Sequence, residues 1–263
     1  MEIASAKAAS EWLVRHWRQG EVIDALPPAL RPETRAEGYL IQAQIEAFSD
    51  KPLFGWKIAA TSAAGQQHIG VEGPLAGRLL AEMTHPDGDL IPFGANRMRV
   101  AEAEFAFCMG VDFPPREQLY SPNEVLAGVS DLFLAIEIPD SRYADFVTAG
   151  GPQLIADNAC AHRFVLGPKA PDVWRRIDLA AHRVVGRIGD HFAREGVGSN
   201  VLGDPRVALT WLANELSSLG VTLAAGQIVT TGTCITPMEI RPGDVVVADF
   251  GVLGRVGCRI AEI

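Results

Sequence analysis

Residues 99–109 read RVAEAEFAFCM, and from Ala101 to Phe105 acidic and apolar side chains alternate. A period of two belongs to an extended strand, which places Glu102 and Glu104 on one face and Ala103, Phe105 and Phe107 on the other. Two ionised carboxylates on one face repel each other unless solvent or a cation separates them. A second run, LFLAIEIPD at 132–140, embeds Glu137 among apolar residues in a similar strand and offers a third oxygen ligand. Oxygen-only ligation suits a hard divalent cation, Mg²⁺ ahead of Mn²⁺, with water or substrate oxygens in the open positions. The competing reading of the same residues is an amphipathic strand with a wet face and Glu137 at a strand end.

Outward from this pair, the chain from Phe54 onward is a series of short apolar runs separated by Gly, Pro and Asp. FGWKIA, RFVLG, AHRVVGRI, QIVTTG, DVVVADF and GRVGCRI all read as strands of ordinary length. RPGD at 241–244 is a turn leading into VVVADF, because Pro242 restricts one torsion, Gly243 accepts unusual ones and Asp244 bonds locally. One segment breaks the pattern. From Asp204 to Leu219, an N-cap Asp, Pro205 at the first helical position and Gly220 as terminator frame a helix whose leucines cover a sheet. Residues 189–203 read as a flexible loop.

The N-terminal part has a different texture. Ala4 to Trp17 and Arg35 to Phe48 are helical, joined by a connector containing Pro27 and Pro28. The expected architecture is α+β: an N-terminal helical region or cap over residues 1–50 and a mixed-β catalytic core over 51–263.

Composition narrows the function classes. With 263 residues, 48% hydrophobic and 21% charged, the chain can close a substantial core and is not disordered. Thirty-two acidic against 23 basic residues give a net charge of -9, which argues against nucleic acid as a partner while leaving room for a small acidic ligand. No apolar run approaches the roughly 20 residues of a membrane span, and MEIASAKAAS lacks a signal-peptide core, so a cytoplasmic protein without a membrane partner is expected. Cys108, Cys160, Cys234 and Cys258 are too scattered for a zinc knuckle. The glycines spell neither GxGxxG in a strand-to-helix context nor a P-loop, and GxSxG is absent.

Lys57, in the apolar run FGWKIA, either snorkels its ammonium to water or enters a cleft. In a cleft it would neutralise a substrate carboxylate, stabilise a developing enolate or move a proton.

GWKIAATS, GVEGPLAGRLLAEM, AEAEFAF, LAIEIPD, LIADNACAHRFVLG, TGTCITP and RPGDVVVADFGVLG occur in that order along most of the chain, and together they resemble the hydratase and decarboxylase branch of the fumarylacetoacetate hydrolase family. The resemblance implies a mixed-β core with the site at its open side, a homo-oligomer, and a small 2-oxo or 2-enol carboxylic acid as substrate. By resemblance Glu102, Glu104 and Glu137 match the metal ligands and Lys57 the pocket lysine. Asn158 is then a polar pocket residue, Asp157 a pocket or loop-organising residue, and Thr233 a contact to the substrate carboxylate. The leading expectation is Mg²⁺-dependent hydration of a 2-hydroxy-2,4-dienoate to a 4-hydroxy-2-oxo acid. The alternatives are decarboxylation of a 2-oxo-enedioate, acylpyruvate hydrolysis and noncatalytic metabolite binding.

Two departures from the family pattern bear on specificity. Leu75 and Ala76 stand where many hydratases have an Asp-Phe pair, with Glu72 as a nearby carboxylate. Cys160 replaces a small or Ser-like residue, and Arg163 beyond it is either a solvated charge or a reader of a distal carboxylate.

Overall fold

The computed structural model describes residues 1–262. Within them the strand β1 (Gly55–Ala59) is flanked by β2 (Leu75–Leu79) and, in parallel, by β10 (Ile228–Thr233). β10 pairs antiparallel with β5 (Val100–Met109), β5 with β6 (Val129–Ile138), and β6 with β7 (Arg163–Lys169). The short β3 (Thr84–Pro86) lies parallel to β7 at the far edge, and β11 (Met238–Glu239) extends the pairing along β5. A second sheet runs β4 (Leu90–Ile91), β13 (Arg255–Ile260), β12 (Val245–Asp249), β8 (Arg183–Ile188) and β9 (Phe192–Val197). The sheets meet where β13 packs on β6 and β7, and a Cβ on Gly167 would lie 2.6 Å from that of Val256.

The long helices form where their caps predict. α6 (Pro205–Ser218) starts at Asp204, whose carboxylate accepts from the Arg206 N–H, and buries Leu209, Leu212 and Leu216. α1 (Ile3–Gln19) ends at Gly20 in the left-handed region, and α2 (Arg35–Ala43) is capped by Thr34 and continues as a 3₁₀ turn, Gln44–Phe48. Ala6, Ala9 and Leu13 of α1 and Ile41 of α2 belong to the same hydrophobic core as Phe105, Phe107 and Leu134. The helical cap is therefore packed on the β core. Three short helices, α3 (Ala63–His68), α4 (Pro122–Ala127) and α5 (Gly151–Ala156), are too brief for their periodicity to stand out in the sequence.

The expected loop over 189–203 is corrected by the structure. Phe192–Val197 is β9, joined to β8 by a three-residue hairpin, and 3₁₀ residues Gly198–Asn200 follow. As an edge strand, β9 places Ala193 and Glu195 on its exposed face and Arg194 and Gly196 among the half-buried positions, so its sequence lacks the alternation of a strand.

Candidate active site

Register decides which side chains share a face. Glu102 pairs with Glu137 across β5 and β6, Glu104 with Ala135, and Lys57 with Thr230 across β1 and β10. Thr230 pairs in turn with Ala106, two residues from Glu104, so Lys57 and all three glutamates project from one face of the sheet. The opposite face, bearing Trp56, Ile58, Phe105 and Phe107, enters the main core. Period-two alternation thus divides the central strands into a chemical face and a packing face.

One carboxylate oxygen from each of Glu102, Glu104 and Glu137 lies within 4.8 Å of the others, the one such group of three potential ligand residues among the described residues. Glu104 and Glu137 are buried and Glu102 is half-buried. Glu104 Oε2 accepts hydrogen bonds from the Thr230 hydroxyl and, at 2.8 Å, from the Gly232 N–H. The second bond depends on an irregular register in β10 between Thr230 and Thr233, with Gly232 at φ 95°. Oε1 of Glu104 and both oxygens of Glu137 have no hydrogen-bond donor. Lys57 Nζ sits 3.1 Å from Glu137 Oε1, a close ion pair without hydrogen-bond alignment, and donates to the Ala159 carbonyl at 3.0 Å.

The electrostatics follow from burial. Desolvation, then the charge of Glu137, pushes the Glu102 carboxyl up to about 7 and raises Glu104 well above its usual range; desolvation likewise raises Glu137. Burial lowers the Lys57 pKa, but Glu137, then Glu102 and Glu104, outweigh it and hold the ammonium firmly protonated. With every group ionised, the four side chains leave two negative charges uncompensated in a poorly hydrated space. Three hard oxygen donors, unpartnered carboxylate oxygens and that charge deficit fit a divalent cation such as Mg²⁺.

The Lys57 carbonyl partner comes from an unusual turn. Asn158, Ala159 and Cys160 all have positive φ, 57°, 50° and 62°, so three consecutive L-residues adopt the left-handed conformation that Asn tolerates best. The turn is held to edge strand β2: Asn158 Oδ1 accepts from the Arg78 N–H at 2.6 Å and Nδ2 donates to the Arg78 carbonyl at 2.8 Å. Gly77 beside it admits the Asn158 carbonyl, which a Cβ there would approach to 2.4 Å. Asp157 accepts from the Ser141 hydroxyl and the Arg142 N–H, both at 2.7 Å, and organises the loop.

The residues named from sequence therefore divide. Glu102, Glu104, Glu137 and Lys57 converge. Asn158 is adjacent, with its amide committed to β2. Thr233 pairs in register with Glu104, but its hydroxyl donates to the Ile235 carbonyl at 2.7 Å. Arg163 pairs with Ile138, one register position from the Glu137–Phe164 pair, so it leaves the sheet on the opposite face from Glu137; its Nη1 lies 3.2 Å from Met83 Sδ. Glu72 is exposed, whereas Leu75 and Ala76 are fully buried in β2. Cys160 is buried, and desolvation pushes its thiol up to about 12, the state of a packed cysteine. Sequence reasoning missed Thr230, the Gly232 N–H and the Ala159 carbonyl; TTGT with its glycine was the available signal for the first two.

The fumarylacetoacetate (FAA) hydrolase C-terminal family model matches residues 63–261. The 2-keto-4-pentenoate hydratase of Paraburkholderia xenovorans (strain LB400) is 31% identical over 94% of this chain and 92% of its own length. The 4-oxalocrotonate decarboxylase of Pseudomonas putida is 29% identical over 86% of this chain and 85% of its own length. Among solved structures, 4-oxalocrotonate decarboxylase from Pseudomonas putida G7, complexed with magnesium and adipate, superposes with a TM-score of 0.90 at 25% identity, covering 99% of this chain and 98% of that one.

Proposed function

The chain belongs to the fumarylacetoacetate hydrolase family, and from that premise we propose that it is a divalent-metal-dependent enzyme acting on a small 2-oxo or 2-enol carboxylic acid. Glu102, Glu104 and Glu137 would hold the cation, with Mg²⁺ first. When bound, the metal supplies Lewis-acid polarisation of the 2-oxygen and charge stabilisation there. Lys57, kept protonated by the glutamates, places a fixed positive charge beside the same region in a low-dielectric space. The Ala159 carbonyl and Glu137 together fix the position of its ammonium.

Hydration led the reading of the sequence; the decarboxylase alternative now has the stronger support. The observation that carries it is the end-to-end likeness to a 4-oxalocrotonate decarboxylase complexed with magnesium and adipate, a linear dicarboxylate. In that reaction, loss of carbon dioxide from a 2-oxo-enedioate leaves the electron pair of the broken C–C bond in the conjugated system, ending at the 2-oxygen, and a proton then adds to carbon. Leu75 suits it, because this route needs no group to bind attacking water and Leu has none. Hydration stays as the second reading on the strength of the 31% identical hydratase.

Incubation of the Mg²⁺-supplemented protein with a 2-oxo-3-enedioate and, separately, with a 2-hydroxy-2,4-dienoate separates the two readings. Stoichiometric carbon dioxide from the first substrate is expected. Water addition to the dienoate without carbon dioxide from the enedioate would restore hydration, and inertness toward both would overturn the enzymatic proposal.

A further inference from the structure

A cavity of about 320 Å³ lies at the end of the sheet where β6 stops and β7 begins, between the C-terminus of α1 and the loop 92–97. None of Glu102, Glu104, Glu137 and Lys57 lines it. Its volume is at the lower bound of small-molecule sites. Four arginines line it: Arg142 is buried, Arg163 half-buried, and Arg18 and Arg97 are exposed.

Two acidic residues also line this space, and one of them is already engaged. Asp140 pairs with Arg142 and accepts from the backbone N–H groups of Arg97 and Met98, at 2.8 and 3.3 Å. The other, Glu21, is exposed, with the His16 ring Nε2 3.9 Å from its carboxylate. The adverse end of the α1 dipole is blunted as well, since the His16 and Trp17 carbonyls accept from Glu21 and Gly20. The cationic side keeps unused donors. Arg142 Nε and Arg163 Nε are buried without an acceptor, and Arg163 has no carboxylate partner, only the Met83 sulfur. Donors buried without acceptors are costly unless something binds them. Burial, with Arg163 and Arg142 next in effect, lowers the His162 pKa to about 3, as expected for a ring facing a positive potential.

We propose that this cavity is a binding site for a small oxyanion, a carboxylate or a phosphate, separate from the glutamate cluster. Arg142 and Arg163 present charged donors from the floor, and Arg18 and Arg97 close the rim. The Arg142 guanidinium, 5.5 Å from the Trp17 ring centroid, is preorganised by stacking, and the His162 ring packs 5.6 Å from the same indole. This assigns Arg163, which the sequence left open between a solvated charge and a carboxylate reader, to anion binding in a cavity that none of the three glutamates lines.

Calorimetric titration of the metal-free protein with succinate and, separately, with inorganic phosphate tests the site. One equivalent of at least one anion should bind, and Arg163→Gln should weaken it roughly tenfold or more through loss of a charged donor. Arg97→Gln, at an exposed position that leaves the fold untouched, should weaken it to a lesser degree, and Glu102→Gln/Glu104→Gln should leave it unchanged. Succinate alone binding would identify a carboxylate site, and binding of both would identify a general oxyanion site. Absence of binding by either up to about 10 mM, or loss of binding in the glutamate variant with retention in both arginine variants, would overturn the proposal.

Discussion

Asn158 is the residue whose replacement most directly tests how the site is assembled. Its amide supplies edge strand β2 with the two hydrogen bonds that a further strand would otherwise make, at 2.6 and 2.8 Å to the Arg78 backbone. The residue is 4% exposed, so water does not substitute freely when the amide is removed. Leaving a buried backbone N–H and C=O unpaired costs about 1.5 kcal/mol each, or about 3 kcal/mol for the pair. Asn158→Gly loses both bonds while relieving the positive φ, a gain of roughly 1 kcal/mol offset by the greater chain entropy of glycine. Asn158→Ala loses the same bonds and holds a less tolerant residue at φ 57°, for about 4 kcal/mol in all. At about 2–4 °C per kcal/mol for a chain near this size, the alanine variant should melt about 8–16 °C lower. Urea titrations of both variants, read by tryptophan fluorescence and by circular dichroism, measure the ordering directly. Unfolding free energies within about 0.5 kcal/mol of wild type in both variants would refute this assignment of the two hydrogen bonds. A glycine variant of wild-type stability with a raised KM would show instead that the amide faces substrate.

Three further outcomes are expected. Glu102→Gln/Glu104→Gln should abolish Mg²⁺ binding by calorimetry yet melt no lower than wild type in EDTA, because two neighbouring carboxylates with raised pKa values lose their mutual repulsion; unchanged affinity would remove them as ligands. Lys57→Met should lower kcat by roughly 100-fold or more with unchanged far-ultraviolet dichroism, and wild-type kcat in a folded variant would end its assignment. His162 has a folded pKa near 3 against an ordinary 6.5, so between those values the unfolded chain binds more protons and stability falls as pH drops. His162→Gln should therefore flatten the dependence of unfolding free energy on pH across that window, and an unchanged slope would contradict an imidazole held neutral in the folded state.

Much of the fold was legible because its signals are local. Alternation in AEAEFAF is a property of consecutive residues, and Asp204, Pro205 and Gly220 mark the ends of a helix without reference to anything distant. Edge strand β9 escaped because its exposed positions remove the alternation, and α3, α4 and α5 because one or two turns hold too few apolar repeats.

The site divides along the same line. The chain by itself determined that Glu102 and Glu104 share a face and that Glu137 and Lys57 are charges stranded in apolar strands. Only the tertiary structure could decide that these faces coincide, because register between β5 and β6, and between β1, β10 and β5, is set by pairings between residues as far apart in sequence as Lys57 and Thr230. Tertiary structure likewise decided that Arg163 stands on the other face, because the β6–β7 register pairs Phe164, its neighbour along the strand, with Glu137. The Asn158–Cys160 turn and its grip on Arg78 are beyond any local rule: three L-residues in the left-handed region are intrinsically disfavoured, and they persist because contacts with Lys57, Gly77 and Arg78, all distant in sequence, outweigh that preference.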